Sequence, residues 1–206
     1  MNNYQLHEIF YAYEEAYTSD PYYVINFMKK NAEILHQEND FDEIADLKKY
    51  LAIVSQYIKA LVDTGRYNKA IDEALYFLPV IEKNMIYLHI NPAEETWYLS
   101  VCFQKGYAHY QLSDYFIALK QFKILLEFTP DSDQIKMWID HSRYGTYKRY
   151  LNFIIIIASV LIFCPILFRN VLSPIIKIIM IISGLVLLAL HTWLGYSNKS
   201  NKRVTN

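Results

Sequence analysis

No acidic residue follows Asp140 in this 206-residue chain. Residues 150–206 hold five basic residues and no carboxylate, whereas residues 1–149 carry 15 Lys+Arg against all 21 Asp+Glu. Two regions with such different charge content belong in two different solvents. Cysteine is scarce: Cys102 and Cys164 are the whole complement, and the second lies in an apolar block. That excludes a disulfide framework and fits a reducing compartment. The five glycines (65, 106, 145, 184 and 195) are too scattered to cradle a phosphate, and neither GxGxxG nor a phosphate-loop motif occurs. HExxH and GxSxG are also missing, and the six histidines show no ligand spacing with cysteine or carboxylate. The expectation is a non-enzyme with no metal and no cofactor, in which His109 is structural. The acidic first region lacks the clustered Lys/Arg that phosphate contacts require, so no nucleic-acid partner is expected. The N-terminus has neither a basic nor an apolar signal region, so no signal peptide is expected.

What the chain does have is hydrophobic length. Residues 150–168 are 19 positions without a charge, about 28 Å as a helix, close to the hydrocarbon thickness of a bilayer. The β-branched run Ile154–Ile157 would suit a strand in water, but a lone strand in lipid leaves its backbone unpaired, so helix is expected. A break follows at 169–173. Ser173 is placed to cap a second helix and Pro174 to open it, where a missing N–H costs nothing. This second apolar stretch, 174–196, carries a single charge, Lys177, one turn in, whose stem can reach the interface. Trp193 and Tyr196 sit where an interfacial aromatic belt belongs, as do Tyr147 and Tyr150 on the first stretch. Arg143, Lys148, Arg149, Lys199, Lys202 and Arg203 flank one side, against Arg169 and Lys177 on the other. The positive-inside rule then puts both chain ends in the cytosol. Ser183-Gly184 offers a small pair for close helix contact.

Start and stop signals divide the first region into helices. A short helix is expected over about 5–17. Asp20-Pro21 opens one over about 22–38, and Asp40 to Glu43 has capping-box spacing for one reaching Asp63. Thr64-Gly65 closes that helix. The next begins near Arg66 and runs into the eighties, bent at Pro79. Asn91-Pro92 opens another that ends near Leu112, with Glu94 and Glu95 as first-turn charges. Ser113-Asp114 leads into a helix ending at Phe128. After Thr129-Pro130 a last amphipathic helix runs through Gly145 toward the first apolar stretch.

Helix pairs joined by tight turns invite a search for repeats. Residues 99–132 resemble the tetratricopeptide motif. Pro130 falls on its terminal proline, Gly106 and Ala118 on the small residues of its two helices, Asp114 and Tyr115 on the inter-helix turn and Phe122 on the aromatic. A second match runs over Tyr57–Leu78: Gly65 and Tyr67 take the turn, Ala70 and Ala74 the small positions. It departs from the motif at Ile58, Pro79 and Glu82, and the units begin about 48 residues apart. The expected architecture is all-α: a cytosolic tetratricopeptide-like domain over 1–147, a two-span hairpin over 148–196, and a basic tail over 197–206.

The resemblance implies a binding module whose first helices line a groove for a protein or peptide. Its face would carry Ser100, Phe103, Tyr107, Tyr110 and Gln111 from one unit. The other unit would offer Ala52, Ser55, Lys59, Val62 and Asp63. The expected role is a membrane-anchored adaptor, and the Ile, Asn, Lys and Tyr richness points to a bacterial inner membrane. A sensor-effector whose hairpins oligomerise and perturb the bilayer, or an accessory subunit of a membrane complex, stays open, as does self-association.

Overall fold

A computed structural model of the chain describes residues 3–15, 20–37, 40–168 and 170–204, with side chains described for 7–14, 20–37, 40–168 and 170–193. The described residues form eight α-helices and one 3₁₀ turn, with no strand. The helices are α1 (Asn3–Glu15), α2 (Pro21–Gln37), α3 (Ile44–Asp63), α4 (Tyr67–Tyr87), α5 (Thr96–Gln111), α6 (Tyr115–Phe128), α7 (Asp133–Leu167) and α8 (Pro174–Val204). The chain divides into two compact units, Met1–Arg143 and Tyr144–Asn206, and the division falls within α7.

Two helix starts differ from their sequence signals. Asp40 does not cap α3; the N-cap is Glu43, without a side-chain bond. Asp40 pairs instead with Lys83, and the Phe41 N–H donates to Asn84 Oδ1 at 3.0 Å. These two bonds tie the loop to α4, while the buried Phe41 ring packs on Tyr50 of α3 (centroids 4.9 Å apart). Asn91 does act as a cap, accepting from the Ala93 N–H at 3.1 Å, but it opens only the 3₁₀ turn Pro92–Glu94. Glu95 is the buried N-cap of α5, and its carboxylate goes to Lys48 at 3.4 Å rather than to the helix N-terminus. A buried carboxylate without a partner would be costly, so the cation wins. α4 runs as one helix through Pro79.

Three consecutive helices end in the same way. After α3, Gly65 adopts φ +73, its N–H bonds to Val62 O at 2.9 Å, and the Arg66 N–H reaches Leu61 O at 2.8 Å. His89 (φ 54) and Ile90 repeat the pattern after α4, and Ser113 (φ 64) and Asp114 after α5. These are Schellman ends, which satisfy the orphan carbonyls of a last turn. Only one of the three has the glycine that makes the left-handed residue inexpensive.

In the first unit α3 is central, packing on α1, α2, α4 and α5, while α5 packs on α3, α4 and α6. Tyr50, Phe77, Leu35, Leu51, Ile58 and Leu61 are fully buried between them. Each such side chain contributes roughly 1.5–3 kcal/mol on leaving water. Two tyrosine–glutamate bonds hold α4 from both sides. The Tyr57 hydroxyl of α3 donates to Glu73 at 3.0 Å, and the Tyr98 hydroxyl of α5 donates to Glu82 at 2.9 Å. Burial, then the adjacent carboxylate, pushes the Tyr57 hydroxyl well above the usual phenol range.

In the second unit the Tyr144–Leu167 part of α7 meets α8 at small residues. A Cβ on Gly184 would lie 2.7 Å from Ile162 Cγ1 and 3.0 Å from the Ala158 carbonyl, and Ala158 is fully buried. The α8 side chains facing inward (Lys177, Met180, Gly184, Leu187, Leu188 and His191) recur at helical spacing. Ser173 Oγ accepts from the Ile176 N–H at 3.4 Å, capping α8 as its sequence predicts. α7 and α8 are each long and apolar enough to cross a membrane. Their outer side chains, among them Phe153, Ile156, Phe163, Ile175 and Ile182, are exposed. Arg169 lies outside the described residues, as do the side chains of Tyr196, Lys199, Lys202 and Arg203.

Candidate functional site: a cleft on the odd-numbered helices

The exposed edge of α3 is a line of residues at helical spacing: Lys48, Ala52, Gln56, Lys59 and Asp63. Its buried sides are occupied by the core, so this edge is what α3 offers to solvent. At the upstream end it forms the floor of a cleft of about 680 Å³. Phe10, Tyr13 and Glu14 of α1 form one wall, Lys48, Lys49, Ala52 and Gln56 of α3 the base, and Trp97 of α5 the opposite wall. Three odd-numbered helices thus contribute to one concavity, because α3 packs on α1 and α5 directly.

The cleft's charges are largely committed. Lys49 Nζ donates to His7 Nδ1 at 2.8 Å, and His7 Nε2 lies 3.1 Å from the buried carboxylate of Asp46. With Lys49 donating to Nδ1, the His7 tautomer that satisfies both contacts carries its proton on Nε2, directed at Asp46. The Lys49 ammonium also stands 5.9 Å from the Phe10 ring centroid. Lys48 is held by Glu95. What remains for a ligand is an apolar and aromatic lining, the Gln56 carboxamide and the exposed Glu14 carboxylate. This suits a segment that supplies apolar side chains and backbone hydrogen-bonding groups better than it suits a compact anion.

The sequence-derived groove residues are distributed as follows. Lys59 lies on the exposed edge of α3, paired with Asp63 at 2.9 Å. Ala52 is in the cleft. Ser55 and Val62 are corrected: both are buried, since they fall on the flank of α3 turned into the core. Gln111 is exposed. Phe103, Tyr107 and Tyr110 stand along α5 but gather around Trp138 of α7, with centroid separations of 6.4, 4.9 and 5.1 Å. They are half-buried, and Phe122 stacks on Trp138 at 6.0 Å. Burial, with Tyr115 and Tyr107 nearby, raises the Tyr110 hydroxyl.

The repeat-structural positions have definite roles. Gly106 lets Phe122 approach: a Cβ there would meet its Cε1 at 3.0 Å. Ala118 and Ala70 are fully buried. Tyr115 opens α6 and its ring contacts Tyr110 at 5.3 Å. Tyr67 opens α4, half-buried against the core. Pro130 lies in the four-residue link between α6 and α7. Of the interfacial candidates, Lys148, Arg149 and Trp193 are exposed and Lys177 is half-buried. Arg143 pairs with Asp140 at 3.1 Å.

Phe10, Tyr13, Glu14, Lys48, Gln56 and Trp97 were not legible as a site. They lie outside the stretches that match the repeat, 57–78 and 99–132, and only the packing of α3 on α1 and α5 brings them together. Near the cleft, burial pushes the Cys102 thiol up to about 11, so it is neutral and unsuited to nucleophilic work. Among the described residues no group of three or more His, Cys, Asp or Glu is arranged to hold a metal ion. Compared with protein-family models, curated proteins and solved structures, the chain matches none.

Proposed function

We propose that this chain is a membrane-anchored binding module: α7 and α8 hold it in a bilayer as a two-span hairpin, and the first unit presents a tetratricopeptide-like groove to a protein or peptide partner. The cleft carries this reading. It is formed by successive odd-numbered helices, it is lined by Phe10, Tyr13 and Trp97, and its lysines are paired internally, Lys48 with Glu95 and Lys49 with Asp46. Aromatic side chains give large contact area at low entropic cost, which suits recognition. Support for the repeat reading comes from the pairing of Gly106 with Phe122 and from the Gly65 turn.

The anchor reading is supported by exposed apolar side chains along the outer faces of α7 and α8, which no protein core covers. In water that surface would be unstable; in lipid it is solvated. The charge distribution supports a reading in which both termini face the cytosol, and the composition one in which the membrane is a bacterial inner membrane. A tethered groove works at raised local concentration toward partners on the same membrane.

The test is site-specific photo-crosslinking in native membranes. A crosslinker at Gln56 or Trp97 should yield a discrete adduct that one at Asp72, on the exposed side of α4, does not. Equal adducts from all three positions, or none from the cleft, would defeat the groove assignment. The competing reading, a hairpin that oligomerises to perturb the bilayer, draws on Ser183-Gly184. In the structure Gly184 is already used within the hairpin, against Ala158 and Ile162.

A further inference from the structure

α6 is apolar around most of its circumference. Ala118, Phe122 and Leu125 are buried on one side. On the other side Phe116 is 70% exposed, Ile117 42% and Ile124 41%. At 100° per residue these three, with Lys120 and Lys123, occupy about a third of the helix surface. A helix that is apolar on two sides needs a partner on both. The first side has Gly106 of α5 and Trp138 of α7; the side chains of the second are exposed.

The charge on this face identifies the occupant. Lys59, Lys69, Lys83 and Lys136 each lie within 4 Å of a carboxylate, whereas the exposed Lys29 and Lys30 of α2 have none among the described residues. Lys120 and Lys123 are exposed, and no carboxylate among the described residues pairs with either. The one acid on the face is Glu127, in the last turn. Two unsatisfied ammonium groups set among Phe and Ile form the pattern of an interfacial helix, whose rings enter the headgroup–acyl boundary while its lysines meet lipid phosphates. A bilayer is near along the chain, because the apolar stretch of α7 begins at residue 150, 22 residues beyond the end of α6.

We propose that the outer face of α6, with Phe116, Ile117, Lys120, Lys123 and Ile124, docks on the headgroup layer of an anionic membrane. This rests on the anchor reading above. Such docking would restrict the orientation of the first unit at the membrane, and phosphatidylglycerol-type lipids would strengthen it.

The full-length protein, with Cys102 and Cys164 replaced by alanine, would be labelled with bimane at Ile117→Cys or, as a control, at Lys59→Cys. It would then be reconstituted in phosphatidylcholine vesicles with and without phosphatidylglycerol. The expected result is a blue-shifted emission at position 117, quenched by headgroup-level lipid quenchers, only in the anionic vesicles. The label at 59 should stay water-exposed. K120E/K123E should abolish the shift at 117 and K120R/K123R should retain it, with unchanged helicity in both. An unshifted label at 117, in protein that survives an alkaline wash in the vesicle fraction, would overturn the docking proposal and leave the anchor standing. Loss of the protein from the vesicles in that wash would overturn both. A shift at 117 that ignores vesicle charge, or an anionic-vesicle shift that survives K120E/K123E, would also overturn it and point to a protein contact.

Discussion

A Cβ placed on Gly106 would stand 3.0 Å from Cε1 of Phe122, the ring that fills the space between α5 and α6. Phe122 is fully buried and stacked on Trp138, with Phe103 at 5.7 Å. The ring therefore has little room to retreat. Gly106→Val should lower the stability of the first unit by about 2 kcal/mol, the overpacking cost exceeding the gain from replacing a helical glycine. Urea unfolding of the full chain in mild detergent, followed by Trp138 fluorescence, measures it. A midpoint at or above that of the wild type would show that α5 and α6 can separate more easily than this packing implies.

His89 sits in the left-handed region (φ 54) at the end of α4, exposed, where Gly65 holds the equivalent position after α3. A side chain there costs about 1 kcal/mol relative to glycine. His89→Gly should raise stability by about 0.5–1 kcal/mol, offset in part by the greater freedom of glycine in the unfolded chain. Thermal melts of the two proteins side by side decide the sign.

Burial holds the His109 imidazole below its ordinary value, and Asp114, 3.7 Å away, only partly opposes this. The folded state then binds its proton less readily than the unfolded state. Stability from this group is complete above the ordinary histidine value of about 6.5 and is lost as the pH falls below it. The urea midpoint of the wild type should drop on moving from about pH 7.5 to about pH 5.5 by more than that of His109→Gln. Equal drops in both proteins would assign the acid sensitivity to other groups.

Gly184 lies under Ile162 and the Ala158 carbonyl. Replacement by leucine cannot be absorbed by a side-chain rotation alone, because one of the two obstacles is backbone. Gly184→Leu should separate α7 from α8, read as loss of a crosslink between cysteines introduced at Ala158 and Ser183 in a Cys-free background. Gly184→Ala should weaken the same crosslink less. Full crosslinking in the leucine variant would show that the hairpin does not depend on this close approach.

Much of the local structure was legible from residue chemistry. Pro21 behind Asp20, Gly65 behind Thr64 and Pro174 behind Ser173 each impose a backbone conformation within one turn, and helices begin or end there. The apolar run 150–168 and the stretch from 174 needed no partner to be read as helical, since an isolated backbone in an apolar solvent has no other way to satisfy its polar groups. The α3 start was misread because Lys83, 43 positions distant, competes for Asp40 once the helices pack. At α5 the Asn91 signal opens only the 3₁₀ turn, and Glu95, which begins the helix, meets Lys48, 47 positions distant. The cleft was beyond sequence for the same reason. Phe10, Gln56 and Trp97 lie on three helices, and periodicity along one helix says which side is exposed but not which neighbour that side meets. Local sequence determined where the helices are and which of them are long and apolar enough to cross a membrane, because those properties depend on adjacent residues. The tertiary structure alone decided which exposed edges share a concavity and which tyrosines are consumed by Trp138, because those depend on contacts between distant parts of the chain.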